Sequence, residues 1–234
     1  MASRTLSTNI TQSLVESIGG DIVRGEYVIG SSLPTEAEIA EKYSVSRTVT
    51  REAIKMLTAK GLVRSWPRRG TIVQKESGWN MLDADVLFWL LDRDVSIPLV
   101  IDFLRMRKAI EPAAAETAAL ISADTSEIES AIDEMKRAAE TGSNGLSADS
   151  KFHAAILRAS DNPFFAQMAP MVDTALRMTI RITNRIKGVK FASIEEHIEL
   201  LTAIQSGNTE LSYRLSLSHI EKALELVLEY HKDK

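Results

Sequence analysis

Residues 32–73 read SLPTEAEIAEKYSVSRTVTREAIKMLTAKGLVRSWPRRGTIV, and this stretch contains two helical patterns joined by the connection YSVS. The first pattern follows Thr35, whose side chain can accept a hydrogen bond from the first turn of a helix. The second follows Ser46, and its apolar residues recur every three or four positions until Gly61. Two short helices with so tight a connection predict a helix-turn-helix.

The second helix is predicted to have a cationic face. Arg47, Arg51 and Lys55 are spaced by four residues, so they share one side of the helix, opposite its apolar residues. A helix that docks by its apolar side and presents cations is typical of a reader of the DNA major groove. A solvated charged face, without a partner, is the alternative interpretation of such a stretch.

A short hairpin is predicted after the second helix. The sequence LVRSWPRRGTIVQ indicates two strands, 62–66 and 71–74, joined by the turn PRRG. Such a wing lies beside the recognition helix and reaches a minor groove or the DNA backbone. Residues 46–75 carry eight Lys and Arg against one acidic residue, which favours a polyanion as the partner of this region.

The composition limits the classes of protein that remain. Residues 1–76 carry 11 Lys and Arg against 8 Asp and Glu, whereas the rest of the 234-residue chain carries 17 against 24. No run approaches the roughly 18 apolar residues of a membrane span, and the N-terminus lacks the apolar core of a secretory signal. There is no cysteine, so any metal must be held by His, Asp or Glu. We therefore expect a cytoplasmic protein with no membrane partner.

Beyond a linker predicted at residues 76–81, the periodicity is helical almost throughout, and no strand pattern competes with it. The expected fold is mainly α. A winged helix-turn-helix occupies residues 1–75, and an all-α helical bundle occupies residues 82–234. A long helix is expected to begin near Pro98, and Pro112 is expected to kink it or break it into two.

Three of the four histidines lie at inward-facing positions on three separate predicted helices. His153 follows Asp149 by four residues, so both share one helical face, and His197 and His219 lie in further amphipathic segments. For a single histidine, a hydrogen-bonded imidazole in the core is the commoner explanation. A helical bundle can nevertheless bring such residues together at its centre, where they would bind a metal.

The winged segment resembles the GntR superfamily of bacterial transcription regulators. It contains the L-P-[ST]-E start, the V-S-R turn, the R-E-A-L-type recognition helix and the G-L-V that leads into the wing, in order and with unbroken spacing. Many relatives have Arg where this chain has Ala37, so the resemblance implies an operator different from theirs. Family members contact DNA through the recognition helix and the wing, which implies contacts at Ser46, Arg47, Thr48, Arg51, Arg69 and Gly70.

The helical body resembles the FCD ligand domain of the FadR-like branch, on the strength of RMRKAIEP at residues 105–112 near its start. The segment WNMLDADVLFWLLDRD, residues 79–94, looks like that of regulators of hexonate (galactonate-type) catabolism. Many FCD domains bind a divalent metal through a D-x-x-x-H…H…H pattern. The residues that match this pattern are Asp149, His153, His197 and His219.

The resemblance also implies the chemistry of the ligands. A carboxylate with three imidazoles suits zinc first, with nickel, manganese or iron as alternatives, and excludes a calcium cage. The effectors of the family are commonly small organic acids, here a sugar acid or an aromatic acid. Arg107 matches the arginine that points towards the ligand cavity in relatives; a surface ion pair with Glu111 is the alternative. Arg177 and Arg181 either line the cavity or are solvated.

These expectations describe a ligand-responsive repressor of a carbon-catabolism operon. A homodimer would space two heads on palindromic double-stranded operator DNA. We expect a regulator rather than an enzyme, because no general base or nucleophile accompanies the ligands. Two alternatives stay open. One is a metal-dependent enzyme with a nucleic-acid-binding appendix, and the other is a regulator whose metal is purely structural.

Overall fold

The computed structural model describes residues 2–93, 96–143, 145–187 and 193–232; the side chains of residues 2–9 and of five positions between 178 and 187 are outside this description. The described residues form ten α-helices and one two-stranded sheet in two compact units, Met1–Asp94 and Val95–Lys234. No described helix combines the length and the apolar character needed to cross a membrane.

The first unit is a winged helix-turn-helix, as predicted. Thr35 and Glu38 form a reciprocal capping box at the start of α2, and the Ser46 hydroxyl accepts a hydrogen bond from the Val49 amide at the start of α3. The two strands pair antiparallel as the wing. The elements of this unit are α1 (Ala2–Arg24), α2 (Glu36–Lys42), α3 (Arg47–Ala59), β1 (Val63–Trp66), β2 (Gly70–Val73) and α4 (Ala84–Arg93).

Helix α4 is part of the first unit, although the sequence placed it in the helical body. The Trp89 ring packs against α1 at Gly19, where any added Cβ would lie 2.4 Å from the ring. Lys60, which caps the end of α3, donates hydrogen bonds to Asp83 and Asp85 around the start of α4. Because these contacts hold α4 in the first unit, the units divide further along the chain than the linker expected at residues 76–81.

The second unit is an all-α bundle, which confirms the predicted fold class. Helix α5 packs against α7, α8, α9 and α10, and fully buried side chains such as Leu104, Phe152 and Leu176 fill the core. Of the kink or break expected at Pro112, the break does not occur: α5 continues through this residue, and the buried Pro112 side chain packs in the interior. The helices are α5 (Ile97–Leu120), α6 (Ser126–Thr141), α7 (Leu146–Ala159), α8 (Pro163–Lys187), α9 (Ile194–Gln205) and α10 (Thr209–Lys232).

Candidate metal centre and nucleic-acid interface

The predicted metal ligands converge inside the second unit. Asp149 and His153 lie one turn apart on α7, and His197 projects from α9; all three residues are buried. One ligand atom from each lies within 4.8 Å of the other two. The Asp149 Oδ1 atom is 3.5 Å from His153 Nε2 and 3.3 Å from His197 Nε2. Three of the four predicted ligands therefore form one compact cluster.

His219, on α10, lies next to this cluster but outside the 4.8 Å set. Its ring centroid is 5.2 Å from that of His197. Both of its nitrogens are buried and lack a hydrogen-bond partner among the described residues, since the nearest carboxylate, Glu196, is 3.9 Å away. Burial, assisted by His197 and His153, lowers the pKa of His219 to about 3. The imidazole is therefore neutral and has a lone pair available for a ligand.

Hydrogen bonds on the far side of two rings determine which nitrogens face the cluster. The Nδ1 of His197 lies 2.6 Å from the Ser193 carbonyl oxygen, which can only accept, so this nitrogen carries the proton. The Nδ1 of His153 lies 2.8 Å from Glu111 Oε2 and donates in the same way. In the neutral rings, both Nε2 atoms then present lone pairs towards the Asp149 carboxylate.

The buried charge of Asp149 beside His153 and His197 favours binding of a cation. Burial alone would raise the pKa of Asp149, but hydrogen bonds that His153 and His197 donate when their rings are protonated hold it well below its usual range. Burial and Arg107 work to lower the pKa of His153, and the Glu111 and Asp149 carboxylates outweigh them and raise it. A carboxylate facing imidazole lone pairs is stable only with protons or a metal ion between them. The donor set, one carboxylate with imidazoles, fits a divalent transition metal.

Arg107 is buried and paired with Glu111 on α5. Its Nε donates to Glu111 Oε1 at 2.6 Å and its Nη2 donates to Oε2 at 3.0 Å. The ion pair considered from the sequence therefore exists, but inside the unit rather than on its surface. Burial by itself raises the pKa of Glu111, but Arg107 and His153 outweigh it and hold this pKa at about 2.

Sequence reasoning did not connect Glu111 with the metal cluster. Its only sequence signal is the four-residue spacing from Arg107, whereas its contact with His153 joins residues 42 positions apart. Of the other candidate arginines, Arg177 is exposed and paired with Asp173, and the Arg181 side chain is outside the described residues.

The recognition helix α3 presents its candidate DNA contacts to solvent. Arg47, Thr48 and Arg51 are exposed, and the Ser46 hydroxyl is engaged in capping the helix. Arg51 donates to Glu36 on α2, with Nη2 and Oε2 separated by 3.1 Å. Arg47 has no acidic partner in the described part of the chain. Glu36 thus holds Arg51 in place, whereas Arg47 is available to bind a polyanion.

The wing carries an exposed aromatic residue that sequence reasoning missed. The Arg64 guanidinium lies 4.3 Å from the Trp66 ring centroid, and Trp66 is 42% exposed. The sequence contained a signal for this contact, because Arg64 and Trp66 are two residues apart on a predicted strand and therefore share a face. Arg69 and Gly70 are exposed nearby, and neither Arg64 nor Arg69 pairs with an acid that the structure describes. The wing therefore offers a cationic surface with a stacked aromatic ring.

An exposed cationic winged head followed by an all-α unit is the architecture of a DNA-binding regulator of transcription. Residues 10–73 match the gntR family of bacterial regulatory proteins, and residues 102–222 match the FCD domain. The chain belongs to the GntR family and carries an FCD domain. The family expected from the winged segment and the helical body is confirmed, and the chain is a transcriptional regulator.

Individual relatives agree with this assignment. The chain is 33% identical over 218 residues to the galactonate operon transcriptional repressor of Escherichia coli K12, covering 92% of this chain and 95% of that protein. It is 28% identical to the Uxu operon regulator of Haemophilus influenzae, covering 86% of this chain and 75% of that protein. The solved structure of Lar, which controls expression of the Listeria monocytogenes agr system, superposes with a TM-score of 0.60 at 18% identity. It covers 94% of this chain and 96% of Lar, and supports the fold alone.

Replacing His219 with leucine tests whether this imidazole is kept for a ligand. The substitution removes two unpartnered buried nitrogens, which cost about 1–3 kcal/mol, and leaves an apolar side chain of similar size. Chelator-treated His219→Leu protein is expected to melt about 2–12 °C higher than the chelator-treated parent in a thermal unfolding scan. Added Zn²⁺ is expected to raise the melting temperature of the parent more than that of the variant.

The matched control is His231→Leu, at an exposed position near the C-terminal end of α10. This variant is expected to keep the parent's melting temperature and its response to Zn²⁺. A less stable metal-free His219→Leu protein with an unchanged response to Zn²⁺ would contradict the role of His219 as a ligand.

Proposed function

We propose that this chain is a homodimeric repressor of a carbon-catabolism operon that binds palindromic operator DNA and is released by a small organic acid. The acid is proposed to bind at a divalent metal, zinc first, held by Asp149, His153, His197 and His219. The observation that carries the proposal is the pair of unpartnered, buried nitrogens of His219 beside an ionised carboxylate and two further imidazoles. Within the described part of the protein, His219 has no hydrogen-bond partner, and a cation beside Asp149 would bind its lone pair.

The DNA-binding half of the proposal rests on the exposed cations of the first unit. Arg47, Thr48 and Arg51 would enter the major groove, where arginine can bind a guanine edge through two hydrogen bonds. Ser46 lies at the N-terminus of α3, a position that favours a phosphate group. Arg69 and Gly70 would lie at the backbone or the minor groove. Two heads in a symmetric dimer then match a palindromic operator.

The proposal that an organic acid is the effector rests on the charge of the proposed metal and of Arg107, and on the function of a relative. A relative that is 33% identical is the repressor of the galactonate operon, and galactonate is a sugar acid. When bound, the metal supplies a position at which an acid's carboxylate oxygen can bind. Arg107 donates through Nε and Nη2 to Glu111, and its Nη1 makes no hydrogen bond to a described residue, so this nitrogen can donate to the same acid. The acid can release DNA only by binding two states of the protein with different affinity.

Alanine substitution of recognition-helix arginines tests the DNA contacts. Arg47→Ala and Arg51→Ala are each expected to weaken binding to the DNA upstream of the protein's own gene about tenfold or more. Fluorescence anisotropy at one fixed salt concentration measures this affinity. Arg137→Ala is the control, because it removes an exposed arginine of α6 that has no acidic partner among the described residues. Undiminished, salt-sensitive binding by Arg51→Ala would remove this residue from the interface.

Tryptophan fluorescence tests the wing directly. Trp66 is 42% exposed, whereas Trp79 and Trp89 are 5% and 8% exposed, so a soluble quencher such as acrylamide acts mainly on Trp66. We expect DNA to reduce acrylamide quenching of the parent protein, because the wing becomes covered. The Trp66→Phe variant is expected to show little change on the same addition. Equal quenching of free and DNA-bound parent protein would place the wing outside the interface.

Titration of galactonate separates a metal-bound effector from a structural metal. The zinc-loaded protein is expected to bind galactonate at least about tenfold more tightly than the chelator-treated protein, by isothermal calorimetry. Galactitol, which has no carboxylate, is the control and is expected not to bind. Equal affinity for galactonate with and without zinc would favour the alternative in which the metal is purely structural.

A further inference from the structure

Glu111 is a fully buried carboxylate that lies outside the predicted ligand set and contacts both parts of the proposed binding site. We propose that Glu111 is a positioning residue that orients His153 towards the metal and Arg107 towards the acid, and thereby couples the two binding events. This inference rests on the metal-bound and acid-responsive site proposed above. It assigns a role to a residue that neither ligates the metal nor binds the acid.

The geometry of Glu111 supports a positioning role for His153. Glu111 Oε2 lies 2.8 Å from His153 Nδ1 and joins α5 to α7. Because an ionised carboxylate can only accept, the proton stays on Nδ1 and the lone pair stays on Nε2. That nitrogen is the one that lies 3.5 Å from Asp149 in the cluster. Acceptors of this kind raise the basicity of a metal-binding imidazole and hold its ring in one orientation.

The same carboxylate holds Arg107. Its Oε1 accepts from Nε and its Oε2 accepts from Nη2, so the plane of the guanidinium is determined by Glu111. Oε2 therefore receives hydrogen bonds from both Arg107 and His153. When an acid binds at Nη1 and shifts the Arg107 guanidinium, Oε2 of Glu111 transmits that shift to the His153 imidazole. Linkage then requires the metal to strengthen acid binding as much as the acid strengthens metal binding.

Direct ligation by Glu111 is the competing role, and the contacts argue against it. Both oxygens of Glu111 already accept hydrogen bonds, and Oε2 faces Nδ1 of His153, not the Nε2 atom that meets the cluster. Glu111 is also absent from the set of ligand atoms within 4.8 Å of one another. The remaining alternative is a purely structural ion pair with Arg107, and experiment separates this from positioning.

The test compares the full-length parent with Glu111→Gln after loading with Co²⁺, whose visible absorption reports the geometry of its ligands. A glutamine has the same size but loses the charge and one acceptor oxygen. We expect metal affinity, measured by competition with a chromophoric chelator, to fall about 10–100-fold. The cobalt spectrum at saturation is expected to change in band position or intensity. At saturating zinc, the affinity for galactonate is expected to fall as well, because Arg107 loses the charge and one of the two acceptor oxygens that orient it.

Two further variants separate positioning from loss of stability. Arg107→Met/Glu111→Leu removes both charges, so no uncompensated charge remains buried, and it is expected to fold and to bind metal as weakly as Glu111→Gln. Ile128→Ala creates a cavity in α6 and lowers stability, and it is expected to keep the parental cobalt spectrum and metal affinity.

Each outcome decides the question. A parental spectrum with metal affinity within about twofold of the parent in Glu111→Gln would overturn the positioning of His153. Parental galactonate affinity in zinc-saturated Glu111→Gln would overturn the coupling through Arg107. If the parent itself binds no Co²⁺, the proposed metal site fails, and the role of Glu111 fails with it.

Discussion

Arg107, Glu111, His153 and Asp149 form a continuous network of buried charge between α5 and α7. A buried charge is stable only where partners compensate it. Arg107 compensates Glu111, Glu111 accepts from His153, and His153 and His197 face Asp149. At the Asp149 end, the Nε2 atoms of His153 and His197 face the Asp149 carboxylate. His219 adds two unpartnered nitrogens beside them. Compensation of this charge depends on α5, α7 and α9 keeping these side chains in contact.

The candidate effector-binding arginine of the second unit and the candidate DNA-binding arginines of the first differ in their burial. In the second unit Arg107 is buried and fully oriented by a carboxylate, which suits selective binding of a small anion. In the first unit Arg47, Arg64 and Arg69 are exposed and without acidic partners among the described residues, which suits the repeating phosphates of DNA. This contrast agrees with a chain in which a gntR-family segment is followed by an FCD domain.

Local signals predicted most of the fold. The helix starts at Thr35 and Ser46 were readable because capping hydrogen bonds join residues only three positions apart. The helices of the body were readable because apolar periodicity is a property of one segment. Of the kink or break predicted at Pro112, the break does not occur, because burial of α5 on both sides of this residue outweighs one lost backbone hydrogen bond. The placement of α4 depended on contacts that form only in three dimensions, from Lys60 to Asp83 and Asp85 and from Trp89 of α4 to Gly19 of α1.

The sequence by itself determined the winged head, the helical class of the body and the four-residue spacing that puts Asp149 and His153 on one face. The tertiary structure decided which groups those residues meet. It placed Glu111 against His153 across 42 residues, buried the Arg107 pair and left the nitrogens of His219 without a described partner. The physical reason is that helix caps and periodicity arise between neighbours along the chain, whereas burial and charge compensation arise only when helices pack together.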